Sequence, residues 1–261
     1  MILSTAPTGL LAVFSLLALA GYAWSALRMP APAAPLWLAW MFHALALLVD
    51  LGGLGYPQWG GRFGFAPALS LTLWLVLGVA LLESKARLWP QAQRLLLPVA
   101  LFVVVLAWLF PGQLHAQVSP WAPLHWGLGL ASYGLVGAAV LHAWLMQRAE
   151  AQLRQPAGPS GAGWPLLRLE RLTFQFLAAG VAALSLALLL GWWVTPKWHW
   201  DHKTLFSVMA WAVLAALLVG RLVLGWRGAQ AVRWLYAGSA LLLLSYVGSR
   251  FVLQVLLGRS L

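Results

Sequence analysis

The chain has 261 residues, 62% of them hydrophobic and only 8% charged, a composition outside the range of water-soluble domains. It contains no cysteine, which excludes a disulfide framework, a thiolate nucleophile, an iron–sulfur cluster and attachment of a cofactor through a CxxCH; metal chemistry would fall to histidine or carboxylate. The net charge of +11 does not describe a nucleic-acid interface, because the sixteen Lys and Arg are parcelled out between apolar blocks rather than gathered on one face.

A helix that crosses about 30 Å of hydrocarbon at about 1.5 Å per residue needs about 20 apolar residues. Eight blocks meet this requirement, at about 9–27, 35–52, 66–83, 94–110, 122–148, 172–194, 204–224 and 232–257. The pattern predicts an all-α integral membrane bundle of about eight transmembrane helices, forming a single polytopic membrane domain over 1–261. The first block lacks a basic leader and a small-residue cleavage site, so it reads as a retained span. A Gly/Pro/Ser run at 155–165 reads as a flexible inner linker between five spans and three. No internal repeat is evident.

Orientation follows from the basic residues. If the N-terminus is outside, the outer loops hold Arg62, Lys197, Lys203, Arg250 and Arg259, and the other eleven basic residues lie inside. The positive-inside rule then places both termini outside.

Eighteen tryptophans are a large excess. Trp37, Trp40, Trp89, Trp144, Trp164, Trp226 and Trp234 fall near span boundaries, where an amphipathic indole anchors any membrane protein. The segment 191–203, GWWVTPKWHWDHK, is different: it packs four tryptophans with His199, Asp201 and His202 into one outer loop. Flat aromatic surface beside imidazoles and a carboxylate suits a large planar ligand with polar edges, of which a porphyrin is the obvious biological example.

Six histidines are present. His43 lies inside the second span, where an ionisable group is costly and by default a functional candidate; a neutral imidazole bonded to a neighbouring helix is the alternative. His125 opens the fifth span at the outer interface, and His43 lies about 10 to 15 Å deeper on helical rise. His142, about 25 Å deeper than His125 along the same helix, cannot share a ligand with it and reads as a boundary residue. Asp50, at the outer end of the second span, is either a proton-relay carboxylate or an interfacial cap.

Trp198-His199-Trp200-Asp201, followed by Lys203 and Trp211, resembles the tryptophan-rich WxWDxK signature of the cytochrome c assembly proteins. Gly225-Trp226-Arg227-Gly228, Arg233-Trp234 and Tyr246-Val247-Gly248-Ser249-Arg250 look like that family's closing spans, which puts the signature region at 191–257. His43, and His125 with Gly127, Ser132 and Tyr133, resemble the histidine-bearing second and fifth spans of its eight-span YpjD/HemX-like branch, related to CcsA.

The resemblance implies a bacterial inner-membrane protein that is not an enzyme. It would bind or position non-covalent b-type haem at its outer face, for cytochrome c maturation or haem homeostasis. Trp198, Trp200 and Asp201 would form the platform and His43 and His125 the iron ligands, with His115, His199 and His202 as outer-side substitutes. Cytochrome c maturation or haem-biosynthesis proteins would be the partners, beside haem and the lipid bilayer. Two other readings stay open: a small-solute permease with His43 and Asp50 along its path, and a HemX-like membrane regulator of a haem-biosynthesis enzyme.

Overall fold

The computed structural model describes residues 9–54, 62–84, 88–114, 120–154, 165–194, 200–252 and 255. Eight helices in it are long and apolar enough to cross a membrane: α1 (Gly9–Ala26), α2 (Ala33–Gly52), α3 (Phe65–Glu83), α4 (Pro90–Leu109), α5 (Ala122–Leu153), α6 (Leu166–Val194), α7 (His202–Leu224) and α8 (Gly228–Phe251). The chain is an all-α, eight-span bundle. Helix α5 runs five residues beyond the expected 148 and α6 begins six before 172, so both extend past the apolar blocks on the side of the linker. The linker expected at 155–165 lies outside the described residues except for Pro165.

Local sequence sets several of the boundaries. Gly53 and Gly225 adopt left-handed φ values of 68° and 66° and close α2 and α7, and Trp226 N–H bonds back to the Gly220 carbonyl. Asp201 caps α7, accepting the Thr204 N–H at 2.7 Å. Prolines occupy the first turns of α4 and α5, where a missing N–H leaves no helical bond unmade.

The ends of α2, α4 and α6 and the starts of α3, α5 and α7 share one end of the bundle, the tryptophan end. There a feature that hydropathy does not encode ties two loops together: β1 (Arg62–Phe63) pairs antiparallel with β2 (Gln113–Leu114). Asp50 completes the tie, its carboxylate accepting the Gly112 N–H at 3.0 and 3.2 Å while buried. Its role in the fold is thus to join the end of α2 to the segment after α4.

Helices α3 and α5 are the most buried spans and form the centre. They approach closely because Gly134 and Gly137 present no side chain: a Cβ at these positions would sit 2.5 Å from Leu75 and 2.8 Å from Val76. Trp40 and Trp74 join α2 to α3, stacked with centroids 4.5 Å apart, and each indole N–H donates to the other residue's carbonyl at 3.0 Å. Trp40 is therefore an interhelical clasp rather than the boundary anchor expected of it. Trp226 and Trp234 likewise stack on each other at 5.3 Å.

At the opposite, linker end, the buried Gln93 amide accepts from Ala31 N–H and donates to the carbonyls of Ser25 and Arg28. His142, read from sequence as a boundary residue, is fully buried. Its Nδ1–H donates to the Ala138 carbonyl at 2.7 Å, and its Nε2 lies 2.7 Å from Glu83 Oε2. The imidazole thus bridges the Ala138 carbonyl of its own helix and the Glu83 carboxyl of α3.

Candidate functional site

The tryptophan end holds a cavity of about 140 Å³ between α5, α6, α7 and α8, floored by Phe63 and Ala68. One histidine lines it. His125 stands in the first turn of α5, half-buried, and its Nδ1 lies 2.9 Å from the Ala187 carbonyl of α6. Because that carbonyl can only accept, Nδ1 carries the proton and Nε2 carries the lone pair. This is the arrangement by which a second hydrogen bond orients a metal-ligating imidazole. Gly191 makes room for it: a Cβ there would lie 2.8 Å from His125 Cε1 and 3.3 Å from Nδ1.

The remaining wall has two characters. Trp126, Tyr133, Leu184 and Leu188 supply apolar and aromatic surface, with Trp126 packed on Phe63 at 4.6 Å. Opposite them are two cations, Lys203 from the start of α7 and Arg250 from the end of α8. Lys203 Nζ lies 5.4 Å and Arg250 Cζ 5.8 Å from the Tyr246 ring centroid, so both positive charges are within reach of the phenol ring. An imidazole lone pair, flat apolar walls and paired cations make a site for a planar apolar body that carries anionic groups at its edge.

The other expected site residues are distributed differently. His43 is not at the cavity: it is 1% exposed, and both of its ring nitrogens are engaged, Nδ1 with the Tyr22 hydroxyl at 3.1 Å and Nε2 with the Ser70 hydroxyl at 2.7 Å. The alternative weighed for it, an imidazole bonding neighbouring helices, describes what it does in the fold. Asp50 is likewise held in packing, by the Gly112 N–H. Trp200 is exposed and Asp201 and His202 cap and begin α7; none of the three lines the cavity. Trp198, His199 and His115 lie outside the described residues.

Lys203, Arg250, Tyr133 and Tyr246 were visible in the sequence as parts of a family pattern, without a role. The signal that marks them is charge placement. Lys203 and Arg250 belong to the small minority of basic residues at the tryptophan end, where a membrane protein with this charge bias has no topological need of them.

Residues 111–257, which include α5 to α8 and every cavity residue except Phe63 and Ala68, match the family model described as cytochrome c assembly protein. The chain belongs to the cytochrome c assembly protein family. Among its relatives is the inner membrane protein YpjD of Escherichia coli K12, 31% identical over 188 residues, covering 68% of this chain and 70% of YpjD. A 28.8 kDa protein of Azospirillum brasilense is 32% identical over 209 residues, covering 73% and 76% of the two chains. A cytochrome c biogenesis protein CcsA of Prochlorococcus marinus is 22% identical over 223 residues, covering 71% of each. No solved structure matches the chain. Eight apolar spans together with this kinship make this family member a multi-pass inner-membrane protein.

Proposed function

We propose that this family member holds haem, non-covalently and as cargo, in the cavity at its tryptophan end, and serves cytochrome c maturation by positioning haem rather than by making bonds. The observation that carries the reading is His125: an imidazole whose tautomer is fixed by the Ala187 carbonyl and whose Nε2 lone pair has no hydrogen-bond partner among the described residues. Haem supplies an iron that takes such a nitrogen, an apolar macrocycle that suits the walls formed by Trp126, Tyr133 and Leu188, and two propionates that suit Lys203 and Arg250. The relatives named for cytochrome c biogenesis support the same reading.

His125 is the ligand this geometry favours over His43, whose two nitrogens already serve the fold. Trp192, Trp193 and Trp200 are exposed at the same end. The concentration of basic residues at the other end supports placing this one on the outer side of the membrane, where apocytochromes are met.

The test is extraction. Protein purified in mild detergent from cells supplied with haem precursor should release b-type haem into acid acetone, with Lys203→Ala and Arg250→Ala variants retaining less. Absence of extractable haem from the wild type and all variants would overturn the proposal.

A further inference from the structure

Helix α8 does not run straight to the cavity. Residues Leu244–Gly248 form a turn of π-helix inside it, and Ser245 and Tyr246 of this turn, with Arg250 just beyond, line the cavity. A π turn carries one residue more than the α-turn it replaces and needs a reason, since it leaves a main-chain group without its usual partner. The reason here is a side chain from another helix. The Tyr133 hydroxyl of α5 donates to the Leu242 carbonyl and contacts Ser245 Oγ at 2.7 Å. Leu242 carbonyl and Tyr246 N–H are the two partners of one ordinary i to i+4 bond. The phenol hydroxyl bonds to the carbonyl of that pair.

We infer that Tyr133 is a positioning residue: by bonding its hydroxyl to the α8 ladder it maintains the π turn, and the π turn sets the register that places Arg250 beside Lys203 in the cavity wall. One residue of register in a helix is about 100° of rotation. Were α8 to close into a continuous α-helix, the direction now held by Arg250 would pass to Ser249, and the cavity would lose one of its two cations. This inference rests on the proposed haem site for its functional meaning, but its structural part stands without haem.

Two readouts separate these parts. The chain has no native cysteine, so introduced pairs report without background. A short bifunctional thiol reagent applied to the Lys203→Cys, Arg250→Cys pair should cross-link it more readily than the Lys203→Cys, Ser249→Cys pair. Adding Tyr133→Phe should reverse the preference. In haem titrations, Tyr133→Phe should weaken binding about tenfold, as expected for losing one charge-assisted contact. It should leave the absorption maximum of bound haem unchanged, because His125 is untouched.

Deleting Val247 on top of Tyr133→Phe should restore both readouts. A straight helix one residue shorter returns Arg250 to the cavity direction and needs no inserted hydroxyl, so this variant also decides the matter if Tyr133→Phe alone folds poorly. An unchanged cross-linking preference in Tyr133→Phe, or no rescue by the deletion, overturns the inference. A reversed preference in a protein whose wild type takes up no haem upholds the register device and overturns the haem reading alone.

Discussion

His125 of α5 donates its Nδ1 proton to the Ala187 carbonyl of α6, and that single bond decides which face of the ring meets the cavity. The contact depends on a third residue, Gly191, whose missing side chain leaves space for the imidazole edge. Gly191→Ala should push the ring off the Ala187 carbonyl and weaken haem binding about 10- to 100-fold, the usual cost of disturbing the partner that orients a ligand. Helix content by circular dichroism should not change. Equal haem affinity in Gly191→Ala and wild type would show that ring orientation does not matter.

His43 should behave as a structural residue. His43→Ala leaves the Tyr22 and Ser70 hydroxyls buried without their partner, at a cost of about 1–3 kcal/mol. The measurement is the midpoint of thermal unfolding in detergent, which should fall in His43→Ala and in Ser70→Ala. Haem affinity per folded molecule should hold in both.

Glu83 and His142 meet at 2.7 Å across α3 and α5, so their contributions should be coupled. Each single variant, Glu83→Gln or His142→Ala, should destabilise the protein, and the double variant by less than the sum, with a coupling of about 0.5–3 kcal/mol. A double-mutant cycle on urea or thermal unfolding reads this directly, and additive losses would contradict a direct interaction between the two side chains.

Asp201 supplies a pH dependence. Partial burial raises its carboxyl pKa, but the Thr204 N–H and hydroxyl and the nearby charges of Lys203 and His202 outweigh this and hold it below the ordinary carboxylate range. The folded protein therefore binds this proton less readily than the unfolded chain. The resulting stabilisation is present above the unfolded-chain value of about 4 and is lost as pH falls through the lower folded value. Asp201→Ala should cost about 0.5–2 kcal/mol near neutrality, as for other helix caps, and less in acid. Asp201→Asn should keep much of the cap and lose the pH dependence, which a series of melting curves across the acid range would show.

The spans were legible because a hydrocarbon slab imposes one requirement, a run of apolar residues about 30 Å long, that composition alone reveals. What lay outside that requirement was not. The extension of α5 to Leu153 uses polar residues that helix packing outside the slab tolerates, and the two-residue strands at Arg62 and Gln113 are too short for any periodicity. Burial of His142 depends on Glu83, which is 59 residues away in sequence. His125 and His43 were both visible as imidazoles within spans, but sequence shows neither the Ala187 carbonyl that the first meets nor the Tyr22 and Ser70 hydroxyls that engage the second. Tyr133 showed only as part of a family pattern; the Leu242 carbonyl that its hydroxyl meets belongs to α8, 109 residues away in sequence.

The most direct test of the account is an absorption titration of the detergent-purified protein with ferric haem, run in parallel on wild type, His125→Ala and His43→Ala. The account predicts a saturable Soret shift in the wild type, its preservation in folded His43→Ala, and its loss in His125→Ala. A shift that survives in His125→Ala and disappears in His43→Ala would contradict it.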